Sequence, residues 1–213
     1  MRMLSQREFW NKEAYEFDAI YSRKKSKFFV FLDSLFRWAM YERFRYTMEQ
    51  SEPIPKKTFL DVGCGSGLYS LEFARRRAIH VTGIDVSDRM IEICTERARK
   101  ENLGERTSFI QMDMTDFNAD VKYNITIGMG LLDYIKEPLP VLKKMRVCTK
   151  EHVMLSFPVL WSIRTLPRMI RLGLKRCQVY FFTKNQIYSL MKEAGFDHCT
   201  IKQMGPMYYV IGV

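Results

Sequence analysis

From Thr58 onward short apolar runs alternate with amphipathic stretches, and that alternation restricts the chain to few folds. "TFLDV", "HVTGIDV", "TSFIQM", "NITIGM" and "HVMLSF" read as strands. Between them "LYSLEFARRR", "SDRMIEICTERARKEN" and "EPLPVLKKMRVC" read as helices. Ser87 is a natural N-cap for the second of these, and Met90, Ile91, Cys94 and Ala98 keep helical spacing within it. "TKNQIYSLMKEAGF" predicts a further helix closed by Gly195, and "TIKQM" and "MYYVIGV" predict two last strands around Gly205-Pro206. Strands that alternate with helices imply an α/β, doubly wound arrangement: a parallel sheet covered on both faces.

Two segments depart from this rhythm. Residues 1–50 are aromatic-rich and helical in pattern. Phe28, Phe29, Leu32, Leu35, Phe36, Ala39, Met40, Phe44 and Met48 form one stripe, and Asp33, Arg37, Glu42, Arg45 and Glu49 lie opposite. "SEPIPKK" (51–57) then breaks the helix with its prolines. The second departure is an insert at 158–178, whose stretch 158–177 is basic and amphipathic. There Arg164, Arg168, Arg171, Lys175 and Arg176 lie among Trp161, Leu166, Met169, Ile170 and Leu174. The expected organisation is therefore a helical cap over 1–50 and a main domain over 58–213 that carries the insert.

The 213 residues suffice for one sizeable core, and 47% hydrophobic with 27% charged residues is a globular balance. No apolar run is long enough to span a bilayer, and "MRMLSQREFWNKE" lacks the apolar centre of a signal peptide, so the expected location is the cytoplasm. Cys64, Cys94, Cys148, Cys177 and Cys199 are odd in number, scattered and without a C-x-x-C pair, which suggests neither a disulfide framework nor a metal site. The net charge of +10 suits nucleic acid, an anionic membrane surface or an acidic substrate, and does not choose among them.

"FLDVGCGSGLYS" (59–70) carries the ligand signal. Its spacing is D-x-G-x-G-x-G, from Asp61 through Gly63, Gly65 and Gly67. A dinucleotide fingerprint needs glycine at 68, which is Leu68, and a phosphate loop needs a G-K-[ST] that is absent. Asp85 ends the next strand, about 20 residues past the glycines, where a carboxylate can accept both hydroxyls of a ribose. Asp113 ends the third strand in "QMDM", with Met112 and Met114 placed to flank an adenine. Acids at three successive strand ends, and no cation in the glycine loop, describe a nucleoside without phosphates.

These motifs, "LDVGCGSG", "VTGIDVS", "QMDM" and "NITIGMGLLDY", resemble the class I S-adenosylmethionine-dependent methyltransferases over roughly 58–213. The likeness points to the small-molecule branch that includes the quinone and magnesium-protoporphyrin enzymes. It implies a Rossmann-like sheet of seven strands in the order 3-2-1-4-5-7-6, the last antiparallel, with residues 1–50 as a lid. It also implies S-adenosyl-L-methionine as cofactor. The residues expected around that cofactor are Asp61, Gly63, Cys64, Gly65, Ser66, Gly67, Asp85, Val86, Met90, Asp113, Met114, Gly128 and Met129. Gly128 to Leu131 would pass beside the sulfonium, Asp85 would hold the ribose and Asp113 would face the adenine.

Methyl transfer from a sulfonium is a direct displacement, so orientation can supply most of the catalysis. Asp133 and Tyr134 follow strand four as candidate catalytic groups, with capping of the next helix and packing under the cap as their structural alternatives. Tyr21 is the preferred lid residue, ahead of Tyr15 and Arg23. His80, His152 and His198 fall at the end of the sheet away from the ligand and are poor bases. The position that reads "GMGLLDY" lacks the prolines of amino-methylating nucleic-acid enzymes, and no appended RNA-binding domain is seen, so nucleic acid is disfavoured. The expected substrate is a small apolar or anionic molecule, with the basic stretch 158–177 as wall of its pocket or as a peripheral membrane contact. An RNA methyltransferase and a non-catalytic cofactor-binding scaffold are the alternatives. The oligomeric state is left open.

Overall fold

The computed structural model describes residues 5–21, 27–118, 120–160 and 178–213, with side chains over 5–14 and from 38 onward. Helices α1 (Gln6–Tyr21) and α2 (Lys27–Gln50) lead into β1 (Thr58–Val62), α3 (Leu68–Arg75), β2 (His80–Asp85), α4 (Asp88–Lys100) and β3 (Thr107–Gln111). Then come β4 (Tyr123–Gly128), α5 (Leu139–Val147), β5 (Thr149–Pro158), α6 (Lys184–Glu193), β6 (Cys199–Met204) and β7 (Met207–Gly212). The strands form one seven-stranded sheet in the order β3-β2-β1-β4-β5-β7-β6. Pairings from β3 through β5 are parallel, and β7 runs antiparallel to both β5 and β6. The expected topology is the observed one.

Alternation along the strands splits the core in two. Leu60, Val62, Ile84, Val153, Leu155 and Phe157 face α5 and α6, where Leu142, Met145, Ile187 and Met191 cover them. Phe59, Val81, Ile125, Ile127 and Met154 face the other way and are covered by Phe73 and Ala74 of α3 and Met48 of α2. Asp61 shares the parity of Phe59, so its carboxylate lies on the face that α2 and α3 close.

Local signals account for the element ends. The Ser87 side chain accepts from the Met90 amide and starts α4 as its N-cap. Thr183 and Gln186 form a capping box at the start of α6, and Gly195, at φ +90°, follows its end. β5 extends further than the expected "HVMLSF": it begins at Thr149, so His152 sits inside it, opposite Ile125, instead of opening it. His152 stays toward the end of the sheet away from the glycines, where burial, with Lys57 adding to it, pushes its pKa down and favours the neutral ring. After Pro158 the chain makes an isolated bridge from Val159 to Phe182. Residues 161–177, and with them most of the basic stretch, lie outside the described residues. Among the described residues no helix is long and apolar enough to cross a membrane.

Candidate cofactor and acceptor site

The turn between β1 and α3 is built by three left-handed residues, Gly63 (φ +70°), Gly65 (φ +53°) and Gly67 (φ +85°). A side chain at any of them would strain the backbone. At Gly63 a Cβ would also come within 2.9 Å of Leu131 Cδ1, so the loop lies directly against the segment that follows β4. The amides of Gly63 and Cys64 both donate to the Ile84 carbonyl, at 2.8 and 3.0 Å, and the Gly67 amide donates to the Cys64 carbonyl at 3.0 Å.

Asp85 ties the loop to the end of β2. One carboxylate oxygen accepts from the Gly65 amide and the other from the Ser87 amide, each at 2.9 Å. The side chain is almost fully buried. Burial raises its pKa, and the backbone amides of Ser87, Gly65 and Val86 oppose that rise by favouring the anion. A carboxylate has about four acceptor directions, so these amides do not exhaust it. Val86, half-buried, continues the strand end, and its carbonyl accepts from Gln111.

Asp61 is deeper, 2% exposed, and accepts a 2.6 Å hydrogen bond from the Ser70 hydroxyl of α3. Burial pushes its carboxyl up to about 7; the Ser70 hydrogen bond opposes the rise, the charge of Asp85 adds to it and the Arg43 guanidinium pulls it back. Arg43, 7% exposed on α2, donates from Nε to the Tyr69 hydroxyl at 2.9 Å and from a terminal nitrogen to Ser156 Oγ at 3.4 Å. Ser156 Oγ in turn accepts from the Gly130 amide at 2.7 Å, and a Cβ on Gly130 would lie 3.6 Å from the guanidinium. A buried cation thus stands between the glycine loop and the end of β4, on the face that also holds Asp61.

Arg43 was not legible in the sequence. It falls on the inward side of α2 with Ala39 and Thr47, at successive steps of four, and the one available signal is a long cation placed on an otherwise apolar stripe. Asn11 of α1 was missed as well: its side-chain oxygen accepts from Ser87 Oγ at 2.6 Å, and next to it Arg7 pairs with Asp88 at 2.8 Å.

The remaining expected residues divide. Gly128 ends β4, and Met129, buried, packs in the core with Phe59. Met90 is fully buried under the α4 N-terminus, and Met114 joins the core beside Ile84. Asp113 is exposed and closes its own turn, accepting at one oxygen from the Thr115 amide (2.8 Å) and hydroxyl (2.7 Å). It stays one strand over from Asp85, whose carbonyl accepts from the Met112 amide. Ser66 and Cys64 are buried within the loop.

After β4, Asp133 and Tyr134 lie in a one-turn 3-10 helix, Leu132–Tyr134. Asp133 is buried and does not cap α5, whose N-cap position is Pro138. Tyr134 meets Trp10 of α1 edge to face at 5.0 Å, Trp10 meets Phe9 in the same way, and Val179 packs on this cluster. Tyr21 ends α1, but its side chain, like those of Tyr15 and Arg23, lies outside the described residues.

With this geometry in place, comparisons with known proteins fix the family. Residues 55–195 match the family described as a methyltransferase domain. The chain is 29% identical over 118 residues to a ubiquinone biosynthesis O-methyltransferase of Vibrio campbellii, covering 54% of this chain and 49% of that one. It is 33% identical over 121 residues to a demethylmenaquinone methyltransferase of Porphyromonas gingivalis, covering 54% and 49%. The chain spans about half the length of the curated relatives it matches. In fold it resembles a magnesium protoporphyrin IX methyltransferase from Synechocystis solved with bound SAH, with TM-score 0.77, 18% identity and coverage of 97% of this chain and 96% of that one. A phosphoethanolamine N-methyltransferase of Haemonchus contortus aligns with TM-score 0.72 and 17% identity, over 94% of this chain and 46% of that one. The chain belongs to the methyltransferase domain family.

Proposed function

We propose that the protein is an S-adenosyl-L-methionine-dependent methyltransferase acting on a small molecule with an apolar or anionic body. The observation that carries this reading is a glycine turn tied to Asp85 beside a couple of buried opposite charges, Asp61 and Arg43, on one face of the sheet. The cofactor has matching ends: a ribose with two hydroxyl donors and a methionine part with one ammonium and one carboxylate. Asp85 has acceptor capacity left for the ribose beyond its bonds to the backbone. Ionised Asp61 suits the ammonium and Arg43 the carboxylate, so the couple is complementary to a zwitterion. The printed names of the relatives support the class: quinone and porphyrin methyltransferases, and a structural neighbour holding SAH.

When bound, the cofactor supplies a methyl group on a positively charged sulfur that is already electrophilic. The chain's work is then placement. Gly128 to Leu131 and the loop at Gly63 bound the crevice on the sulfur side. Tyr134 and Trp10 present an apolar wall to the acceptor, which excludes water from it. Asp133, buried at the same turn, is the nearest candidate to take a proton from an acceptor that must lose one. In this reading residues 1–50 act as a cap, supported by Arg43, Asn11 and Trp10 all reaching the crevice from α1 and α2. By its sequence pattern the insert at 158–178, most of which lies outside the described residues, is read as a wall of the acceptor pocket, with contact to a membrane surface as its other use.

Incubation with methyl-labelled cofactor and cell extract, fractionated into small molecules, lipid, RNA and protein, tests the reading. Label is expected in the small-molecule or lipid fraction. Label in RNA, or tight SAH binding with no label transferred, would replace this reading with the RNA enzyme or the scaffold. Asp85→Ala is expected to weaken SAH binding by about 1–3 kcal/mol, the cost of leaving buried donors unpaired; calorimetry showing an unchanged affinity would remove Asp85 from the ribose.

A further inference from the structure

Three glycines in left-handed conformations make a turn that is entropically costly to hold. Asp85 fixes one of its amides. The carbonyl side is fixed from another element. Cys94 Sγ of α4 donates to the Gly65 carbonyl at 2.8 Å, and Arg97, one turn further along the same helix, donates to the Ser66 carbonyl at 3.1 Å. Cys94 is fully buried, and a Cβ added at Gly67 would lie 3.4 Å from its sulfur. The Cys64 thiol approaches the same Gly65 carbonyl at 3.8 Å. Its hydrogen bond to Cys94, together with burial, pushes the Cys64 thiol up, so Cys64 stays protonated and is not a nucleophile.

We infer that Cys94 and Arg97 are positioning residues that set the peptide planes of the glycine loop against the amino-acid end of the ligand. In a trans peptide the carbonyl and the following amide point in opposite directions. With the Gly65 and Ser66 carbonyls drawn to α4, the Ser66 and Gly67 amides turn away from it. The Gly67 amide does so, reaching the Cys64 carbonyl at 3.0 Å. Gly65 is thus held through both of its flanking peptide units, the one before it by Asp85 at the Gly65 amide and the one after it by Cys94 at the Gly65 carbonyl. Asp85 in this scheme also binds the ribose; Cys94 and Arg97 act only through the loop. The inference rests on the methyltransferase reading for the ligand's identity, and on the loop geometry alone for the tie.

The test uses Cys94→Ala, Arg97→Gln and their double variant, with Cys94→Ser and Arg97→Lys as conservative partners. Calorimetry measures SAH, which carries the amino-acid end, and adenosine, which does not. Each loss variant is expected to bind SAH about fivefold more weakly, the size of one hydrogen bond, with adenosine affinity within about twofold of wild type. Cys94→Ser and Arg97→Lys are expected to restore SAH binding. In ligand-free protein, hydrogen exchange at the amides of 65–67 is expected to speed up in the loss variants and return in the conservative ones. Unchanged SAH affinity in the double variant, equal loss of SAH and adenosine, or unchanged loop exchange overturns the inference. A wild-type protein that fails to bind SAH overturns the methyltransferase reading instead, and the exchange measurement still decides the tie. Arg97 is half-exposed on α4, so Arg97→Gln keeps the test open if Cys94→Ala folds poorly.

Discussion

The two halves of the proposed site are made differently. On the half read as the cofactor's, the polar groups from β1 to the start of α4 close on one another. Asp85 bonds Gly65 and Ser87, Asp61 bonds Ser70, and the glycine loop bonds Ile84. On the acceptor half, Tyr134, Trp10, Phe9 and Val179 meet edge to face or in van der Waals contact, and they come from α1, the segment after β4 and the segment before α6. The first arrangement fixes atoms in direction as well as distance, which suits one invariant ligand. The second fixes little beyond shape and apolarity, which suits a region that has to change with the substrate.

The sharpest way to break this contrast is to put a side chain into the cofactor half. Gly63→Val combines a β-branched residue at φ +70° with a Cβ 2.9 Å from Leu131 Cδ1. The backbone alone costs about 1–2 kcal/mol, and the clash adds to it or moves the loop. Loss of SAH binding by about a hundredfold or more is expected, the arithmetic of roughly 3 kcal/mol. Fluorescence or calorimetric titration reads it. Near-normal affinity would show that the loop is not where the ligand lies.

A second test uses pH. Asp61 has its carboxyl pushed up to about 7, above the usual carboxylate range of about 4. Between those values the folded protein keeps a proton that the unfolded chain has lost, so through this group stability falls as pH rises from about 4 to 7 and is level above. Cofactor affinity runs the opposite way, because the ammonium needs the ionised carboxylate. It is expected to fall by up to about tenfold per pH unit below pH 7, with a proton released on binding at pH 6. Asp61→Asn is expected to flatten both slopes, and calorimetry in buffers of different ionisation enthalpy counts the proton. A wild-type affinity that does not vary between pH 5.5 and 8 would separate Asp61 from the ligand.

The same contrast explains what the sequence could disclose. The order of strands and helices, the glycine loop and Asp85 were legible because each is local: a period, a turn residue or an acid at a strand end writes itself into a few adjacent letters. Ser87 as N-cap was legible for the same reason. Arg43, Asn11 and Ser156 were not, because each acquires its role only when α1, α2 or β5 packs against the crevice, tens of residues away. Asp113 shows the limit of the local signal: a strand-end acid can satisfy itself in its own turn through Thr115. Asp133 shows it too: helix capping was the structural alternative to its catalytic reading, and the residue is instead buried in the turn before that helix.

The smallest expected effect sharpens the comparison from the other side. Tyr134→Ala removes the ring that meets Trp10 at 5.0 Å, worth about 0.5–1.5 kcal/mol as an aromatic pair beyond its buried area. That ring pair itself involves neither Asp85, the glycine loop nor Arg43, so SAH affinity is expected to stay within about threefold. Transfer of labelled methyl to the acceptor fraction is expected to drop by more than that, and Tyr134→Phe, which keeps the ring, to recover it. If Tyr134→Phe fails to recover transfer, the hydroxyl and not the apolar wall is what the acceptor uses. If instead Tyr134→Ala weakens SAH by tenfold, the aromatic cluster is part of the cofactor half, and α1 joins the two regions into one binding unit through Trp10 on one side and Asn11, bonded to Ser87, on the other.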